Sequence, residues 1–92
     1  GHEQAVHRPA LVLSPAAYNA KSGLMVFCPL TTRIKGHPFE VLVRIGDEDC
    51  VVLSDQVKSL DWRARRARRK GSVPEDAMRE VQAKLKALLG VR

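Results

Sequence analysis

The chain has 92 residues, 45% hydrophobic and 28% charged, with a formal net charge of +6; that length makes one small domain over residues 1–92 and leaves no room for a second. No apolar run approaches the ~20 residues of a membrane span and no secretory pattern is read in it, and a cytoplasmic location is the expectation. So short a chain buries little core alone, which makes oligomerisation the expectation.

Gly1 to Arg8 read as a polar loop. Pro9-Ala10-Leu11-Val12-Leu13-Ser14-Pro15 is an apolar strand bounded by proline at each end. Ser14 to Gly23 form a connection with room for one helical turn, ended by Gly23. Leu24 to Leu30 are apolar without alternation, which predicts a strand buried on both faces, stopping at Thr31-Thr32-Arg33. After the connection Arg33 to Pro38, Phe39 to Arg44 alternate as in a strand with one wet face. Gly46-Asp47-Glu48-Asp49 reads as an acidic turn, Cys50 to Ser54 as a short buried strand, and Asp55 to Asp61 as further extended segments. Cys28 and Cys50 fall inside predicted strands and read as buried thiols, with a disulfide between adjacent strands as the lesser alternative.

The C-terminal segment carries the clearest helix signal. Ser72 and Glu75 have capping-box spacing, with Pro74 in the first turn. Met78, Val81, Leu85 and Leu88 make one apolar stripe with Ala77 and Leu89 beside it, and Gly90 is a natural stop. Short strands followed by one helix predict a compact, mostly β barrel with a helix on one side.

The charge is concentrated. Lys58 to Lys70 hold seven basic residues and one acid, leaving nine of each sign elsewhere, so the entire net +6 lies in that segment. Such a patch attracts polyanions, whether nucleic acid, anionic membrane or acidic protein; the plain alternative is a solvated turn that aids solubility.

A sheet that pairs the first two strands could bring Arg8 near Thr31. A fixed guanidinium, a hydroxyl and a nearby carboxylate are what phosphodiester chemistry needs when no metal takes part. Taken singly these residues are ordinary: an arginine before a strand is usually at the surface, and threonines at a strand end reflect β propensity. His2, His7 and His37 form no metal motif and no cysteine–histidine cluster accompanies them, so neither metal nor other cofactor is predicted.

Three blocks resemble the MazF/PemK-type toxins: Glu3-Gln4-Ala5-Val6-His7-Arg8-Pro9-Ala10-Leu11-Val12-Leu13-Ser14-Pro15, then Pro29-Leu30-Thr31-Thr32-Arg33-Ile34-Lys35-Gly36-His37-Pro38-Phe39-Glu40-Val41, then Leu53-Ser54-Asp55-Gln56-Val57-Lys58-Ser59-Leu60-Asp61-Trp62-Arg63-Ala64-Arg65. They occur in the family's order and spacing. The resemblance implies a small SH3-like barrel of the MazF/PemK/CcdB-like toxin fold with a C-terminal α-helix. It implies a homodimer and the toxin component of a type II toxin–antitoxin system. The activity implied is an mRNA interferase, a metal-independent, sequence-specific endoribonuclease that cuts single-stranded RNA and inhibits translation. The partner implied is a MazE-like antitoxin whose acidic tail occupies the RNA groove.

By the same resemblance Arg8, Thr31 and Glu3 match catalytic positions: Arg8 for transition-state charge, Thr31 to bond the scissile phosphate, Glu3 as base or as a brace for Arg8. His7 is a further candidate for proton transfer. Gln4, Thr32, Lys35, Asp55, Gln56, Lys58 and Arg63 are candidate RNA contacts, and Trp62 could stack on a base, although a core or dimer-interface role is favoured.

Two departures carry expectations. The sequence begins after the strand with which the family normally starts, which would leave an open barrel edge and a mobile or displaced segment from Gly1 to His7 in the absence of ligand. Val6 and Cys50 stand where the family usually has glycine, and a side chain where φ > 0 is needed stiffens or redirects the backbone. Two alternatives remain open: a toxin-fold module that binds a protein such as gyrase without cutting RNA, and an inactive form that binds RNA or antitoxin.

Overall fold

The computed structural model describes residues 8–69 and 71–91. Its elements in chain order are β1 (Ala10–Val12), α1 (Ala16–Ser22), β2 (Leu24–Thr31), β3 (Glu40–Ile45), β4 (Glu48–Leu53), β5 (Lys58–Asp61) and α2 (Glu75–Leu89). All strand pairs are antiparallel, in the order β1-β2-β4-β3, with β5 also against β2.

The long strand β2 organises the sheet. β1 runs along one edge, pairing Ala10 with Pro29 and Val12 with Phe27. Its other edge is shared: Val51 and Val52 of β4 pair with Thr31 and Leu30, and Lys58 to Asp61 of β5 pair with Phe27 to Leu24. Between those stretches the chain from Leu53 to Val57 has more residues than the β2 segment it faces. It therefore loops out as a bulge, and bulges bend sheets. The result is a curved half-barrel with a helix on one side, in agreement with the mostly β expectation.

Alternation along the strands decides which side is which. Leu11, Cys28, Leu30, Val41, Val43, Cys50 and Val52 share one face and form the core, against Ala77 and Val81 of α2. Paired residues project to the same side, so Thr31, Val51 and Leu42 lie in one row on the opposite face, away from α2. The hairpin between β3 and β4 is tighter than the acidic stretch suggests. Only Gly46 and Asp47 turn, with Gly46 at φ 62°, and Glu48 and Asp49 already belong to β4.

Several sequence expectations are corrected. Leu24 to Leu30 are not buried on both faces: Leu24 is 37% exposed and Met25 and Val26 are half-buried, because this end of β2 lies against α1, which has no fully buried residue. The connection holds two helical turns rather than one, closed by Gly23 at φ 74°. The left-handed backbone at Gly23 is what calls for glycine there; a Cβ would meet only the flexible Arg63 side chain, at 3.4 Å.

The Ser72 capping box does not form. With Ser72 as N-cap, Val73 would have to be helical immediately before Pro74, a conformation that the proline ring disfavours. Pro74 itself is the N-cap, with ψ 149°, and its carbonyl accepts from Ala77 and Met78. Glu75 and Asp76 then sit in the first turn, where the helix dipole favours them, and Gly90 ends the helix as expected. The apolar stripe leaves the core after Leu85: Leu88 is 44% and Leu89 69% exposed.

Both cysteines are free and buried. Cys50 is extended within β4 opposite Val43, so it needs no positive φ and does not distort the strand. Val6 lies outside the described residues.

Candidate active site

The register of β1 on β2 continues beyond the assigned strand. Leu30 N–H donates to the Pro9 carbonyl at 3.1 Å, as the next step of the ladder requires. One further step sets Arg8 opposite Thr31, at a position without backbone hydrogen bonds, where cross-strand side chains approach most closely. Extended by that step, Arg8 falls in the row of Thr31, Val51 and Leu42, on the face away from α2. Arg8 is exposed and has no hydrogen bond or ion pair with another described residue.

Thr31 ends β2 and is half-buried. Its Oγ1 accepts from Arg33 N–H at 3.1 Å, the local turn by which a threonine closes a strand. That bond occupies an acceptor position and leaves the hydroxyl hydrogen free to donate. Thr32 follows in the bend and is exposed.

Glu40 was missed by sequence reasoning. It opens β3 on the same face as Thr31, and its carboxylate accepts from Gly36 N–H at 2.9 Å and from Lys35 N–H at 3.2 Å. The segment after Thr31 is thereby pinned beside the row, with Lys35 in it. Gly36 has φ 80°, a conformation that glycine supplies without strain. Farther on, Lys84 of α2 donates to the Pro38 carbonyl at 2.7 Å, tying the same loop to the helix. A carboxylate following a glycine–proline connection is the signal that would have pointed to Glu40.

The other candidates spread along β2. Asp55 and Gln56 are exposed on the bulge between β4 and β5, beside Cys28 and Pro29; Gln56 N–H donates to the Leu53 carbonyl. Burial, followed by the Asp55 charge, pushes the Cys28 thiol above the ordinary cysteine value. Lys58 pairs with Phe27 and is exposed. It lies four residues along β2 from Thr31, roughly 13 Å at strand rise.

Arg63 is not brought to the row. It lies beyond the far end of β2, roughly 23 Å or more from Thr31 at strand rise. There its guanidinium donates to the Ala20 carbonyl at 2.6 Å and lies 5.0 Å from the centre of the Trp62 ring. Trp62 Nε1 donates to the Asn19 carbonyl, so this residue caps α1 with its indole N–H. The basic segment as a whole continues from β5 toward that end, with Arg65, Arg66, Arg68 and Arg69 exposed. Glu3, Gln4 and His7 lie outside the described residues. Among the described residues no three His, Cys, Asp or Glu side chains gather as a metal-ligand set, and no helix is long and apolar enough to cross a membrane.

Comparison with known proteins gives a consistent picture. The family model described as "PemK-like, MazF-like toxin of type II toxin-antitoxin system" matches residues 1–89. The chain is 50% identical over 90 residues to the endoribonuclease toxin MazF of Escherichia coli (strain K12), covering 98% of this chain and 81% of that protein. It is 37% identical over 95 residues to the Escherichia coli endoribonuclease PemK, covering 97% of this chain and 71% of that one. Among solved structures, a MazE-MazF crystal structure from Deinococcus radiodurans superposes with a TM-score of 0.87 at 53% identity, over 92% of this chain and 87% of that chain.

Proposed function

Because the chain belongs to the PemK-like, MazF-like toxins of type II toxin–antitoxin systems, we propose that it is an endoribonuclease whose working centre is the Arg8–Thr31 row on the face away from α2. The single observation that supports the reading is the β1–β2 register: Leu30 N–H donates to the Pro9 carbonyl, and one further step pairs Arg8 with Thr31, whose hydroxyl hydrogen is free to donate.

RNA brings its own nucleophile. The 2′-OH attacks the adjacent phosphorus, a 2′,3′-cyclic phosphate forms, and the bond to the 5′-oxygen breaks; one proton leaves the 2′-oxygen and one arrives at the 5′-oxygen. Negative charge builds on the phosphoryl oxygens between these events. Arg8 stays charged at every working pH and its planar fork holds two such oxygens. Thr31 donates its free hydroxyl hydrogen to one of them, while the Arg33 N–H on its oxygen polarises that donor. Glu3 and His7 are the proton carriers in this scheme. Lys35, Thr32, Asp55 and Gln56 flank the row and would hold the neighbouring nucleotides, and Lys58 a more distant phosphate.

The substrate is single-stranded RNA, cut without a metal ion at a preferred sequence, and cleavage of mRNA stops translation. The partner is a MazE-like antitoxin with an acidic tail, which the exposed arginines attract. The active form is a cytoplasmic homodimer; Leu88 and Leu89 at the end of α2 are exposed apolar surface for such an assembly to cover. The two Escherichia coli relatives described above are both named endoribonucleases, which favours this reading over gyrase binding.

Single-turnover cleavage of a mixed-sequence, single-stranded RNA in EDTA tests it. The expected result is site-selective cutting that leaves a 2′,3′-cyclic phosphate, lost in a folded Arg8→Ala variant. Undiminished cutting by that variant would remove Arg8 from the mechanism. Gyrase binding without RNA cleavage would replace the reading altogether.

A further inference from the structure

We propose that Glu40 is a positioning residue for the substrate: by holding the backbone amides of Lys35 and Gly36 it fixes the β2–β3 loop so that the Lys35 ammonium grips an RNA phosphate next to Thr31, a role that rests on the endoribonuclease reading above.

A carboxylate at the start of an edge strand has water as its ordinary neighbour. Glu40 instead accepts from two consecutive amides of its own loop, Lys35 N–H at 3.2 Å to each oxygen and Gly36 N–H at 2.9 Å to Oε1. Two successive N–H groups converging on one anion make a backbone nest, a geometry that orders the residues bearing them. The loop has further ties: Arg33 N–H donates to Thr31 Oγ1 at its start, and near its end Glu40 N–H donates to the His37 carbonyl, Lys84 Nζ to the Pro38 carbonyl and Ser54 N–H to the Phe39 carbonyl. Among these, the Glu40 carboxylate tie alone takes hold at Lys35, midway along the loop.

The Lys35 side chain itself has no ion pair or hydrogen bond with another described residue. Its backbone is fixed while its ammonium remains available, which is the arrangement expected of a residue held ready for an external anion. The anion implied is a phosphodiester of a strand lying over Thr31, because the Glu40 side chain that holds the loop stands on the same face as Thr31 and Leu42. A long lysine on an untethered loop would have to be ordered at each binding event; a pre-set loop lowers that cost. The effect is on substrate capture, so Glu40 acts through Lys35.

Cleavage kinetics of Glu40→Ala, Lys35→Ala, the double variant and Glu40→Gln test this on the full chain. Glu40→Ala and Lys35→Ala should each raise KM roughly tenfold with kcat within about threefold of the parent, the scale of one phosphate contact. The double variant should be no worse than either single one, since both remove the same grip. Glu40→Gln keeps a carbonyl acceptor for the two amides and should restore KM to near the parent value. A purely structural glutamate would lower the melting temperature and the active fraction without moving KM. An unchanged KM in a folded Glu40→Ala, or losses that multiply in the double variant, would overturn the proposal.

NMR gives a readout free of activity. The Lys35 and Gly36 amides should exchange slowly with solvent in the parent and lose that protection in Glu40→Ala; amides whose exchange ignores that substitution would also overturn it. If the parent cuts no RNA while the amides do respond, the endoribonuclease reading fails, and substrate positioning by Glu40 fails with it.

Discussion

Thr31→Val separates chemistry from stability at a single atom. Valine keeps the shape of threonine and its preference for strands, and removes only the hydroxyl. In the folded state that hydroxyl accepts one bond, from Arg33 N–H at 3.1 Å, and that group lies on exposed chain where water can replace the acceptor. The stability loss should therefore stay at or below about 1 kcal/mol, a melting shift of no more than about 4–8 °C for a domain of this size. The hydroxyl hydrogen has a different value. If it meets charge that develops on the phosphoryl oxygens, its loss costs about 2.7–4 kcal/mol of transition-state stabilisation, or roughly 100- to 1,000-fold in rate. Thermal melting by circular dichroism and single-turnover cleavage of a fluorogenic RNA, run on the same preparations, measure the two numbers. Thr31→Ser retains the hydroxyl and should stay within about tenfold of the parent. A folded Thr31→Val that cuts RNA at near-parent rate would refute the assignment, whereas a melting drop well beyond 8 °C would mean that the hydroxyl chiefly supports the fold.

Arg8→Lys keeps the charge but not the fork; it should recover only a minor part of what Arg8→Ala loses, and full recovery of the cleavage rate would mean that charge alone suffices. Val81→Ala, at a position with 0% exposure, should cost about 2–3 kcal/mol in urea unfolding, whereas Leu89→Ala, 69% exposed, should change stability by less than about 0.5 kcal/mol; equal losses would contradict the placement of α2. Because burial raises the Cys28 thiol in the folded state, the unfolded chain loses that proton first as pH rises. Stability from this group is thus fully present below the ordinary thiol range, about 8.5, and declines above it. Chemical denaturation across that range should show the decline in the parent and a weaker one in Cys28→Ala.

The pairing of the first two strands, on which the proposal for Arg8 and Thr31 depends, was legible in outline because the two apolar runs flanked by proline and threonine announce the strands. Period-two alternation also gave β3 one wet face, as its burial shows. What went wrong is local in each case. Ser72 and Glu75 have the spacing of a capping box, but Pro74 excludes the helical conformation of Val73 on which that box depends. The stripe of α2 was read one turn too far, since periodicity reports which residues share a face and not where the neighbouring sheet ends. Arg63 looked like a phosphate ligand by type and proximity to other cations; the Ala20 carbonyl and the Trp62 ring give it a different use. Glu40 escaped notice because a glutamate heading a strand is an ordinary surface residue until its loop folds back onto it.

By itself, the sequence determined a mostly β fold with a C-terminal helix, a charge excess confined to residues 58–70, and a family likeness from which catalytic positions are proposed. These follow from alternation, length, composition and ordered motifs, all properties of neighbours along the chain. Tertiary structure alone decided that β2 carries three partners, that Thr31 and Glu40 share the face away from α2, and that much of the basic segment runs toward the opposite end of that strand. The physical reason is register. Moving a strand by one residue sends every side chain to the other face, and the choice is made by packing across the whole sheet rather than by any single segment.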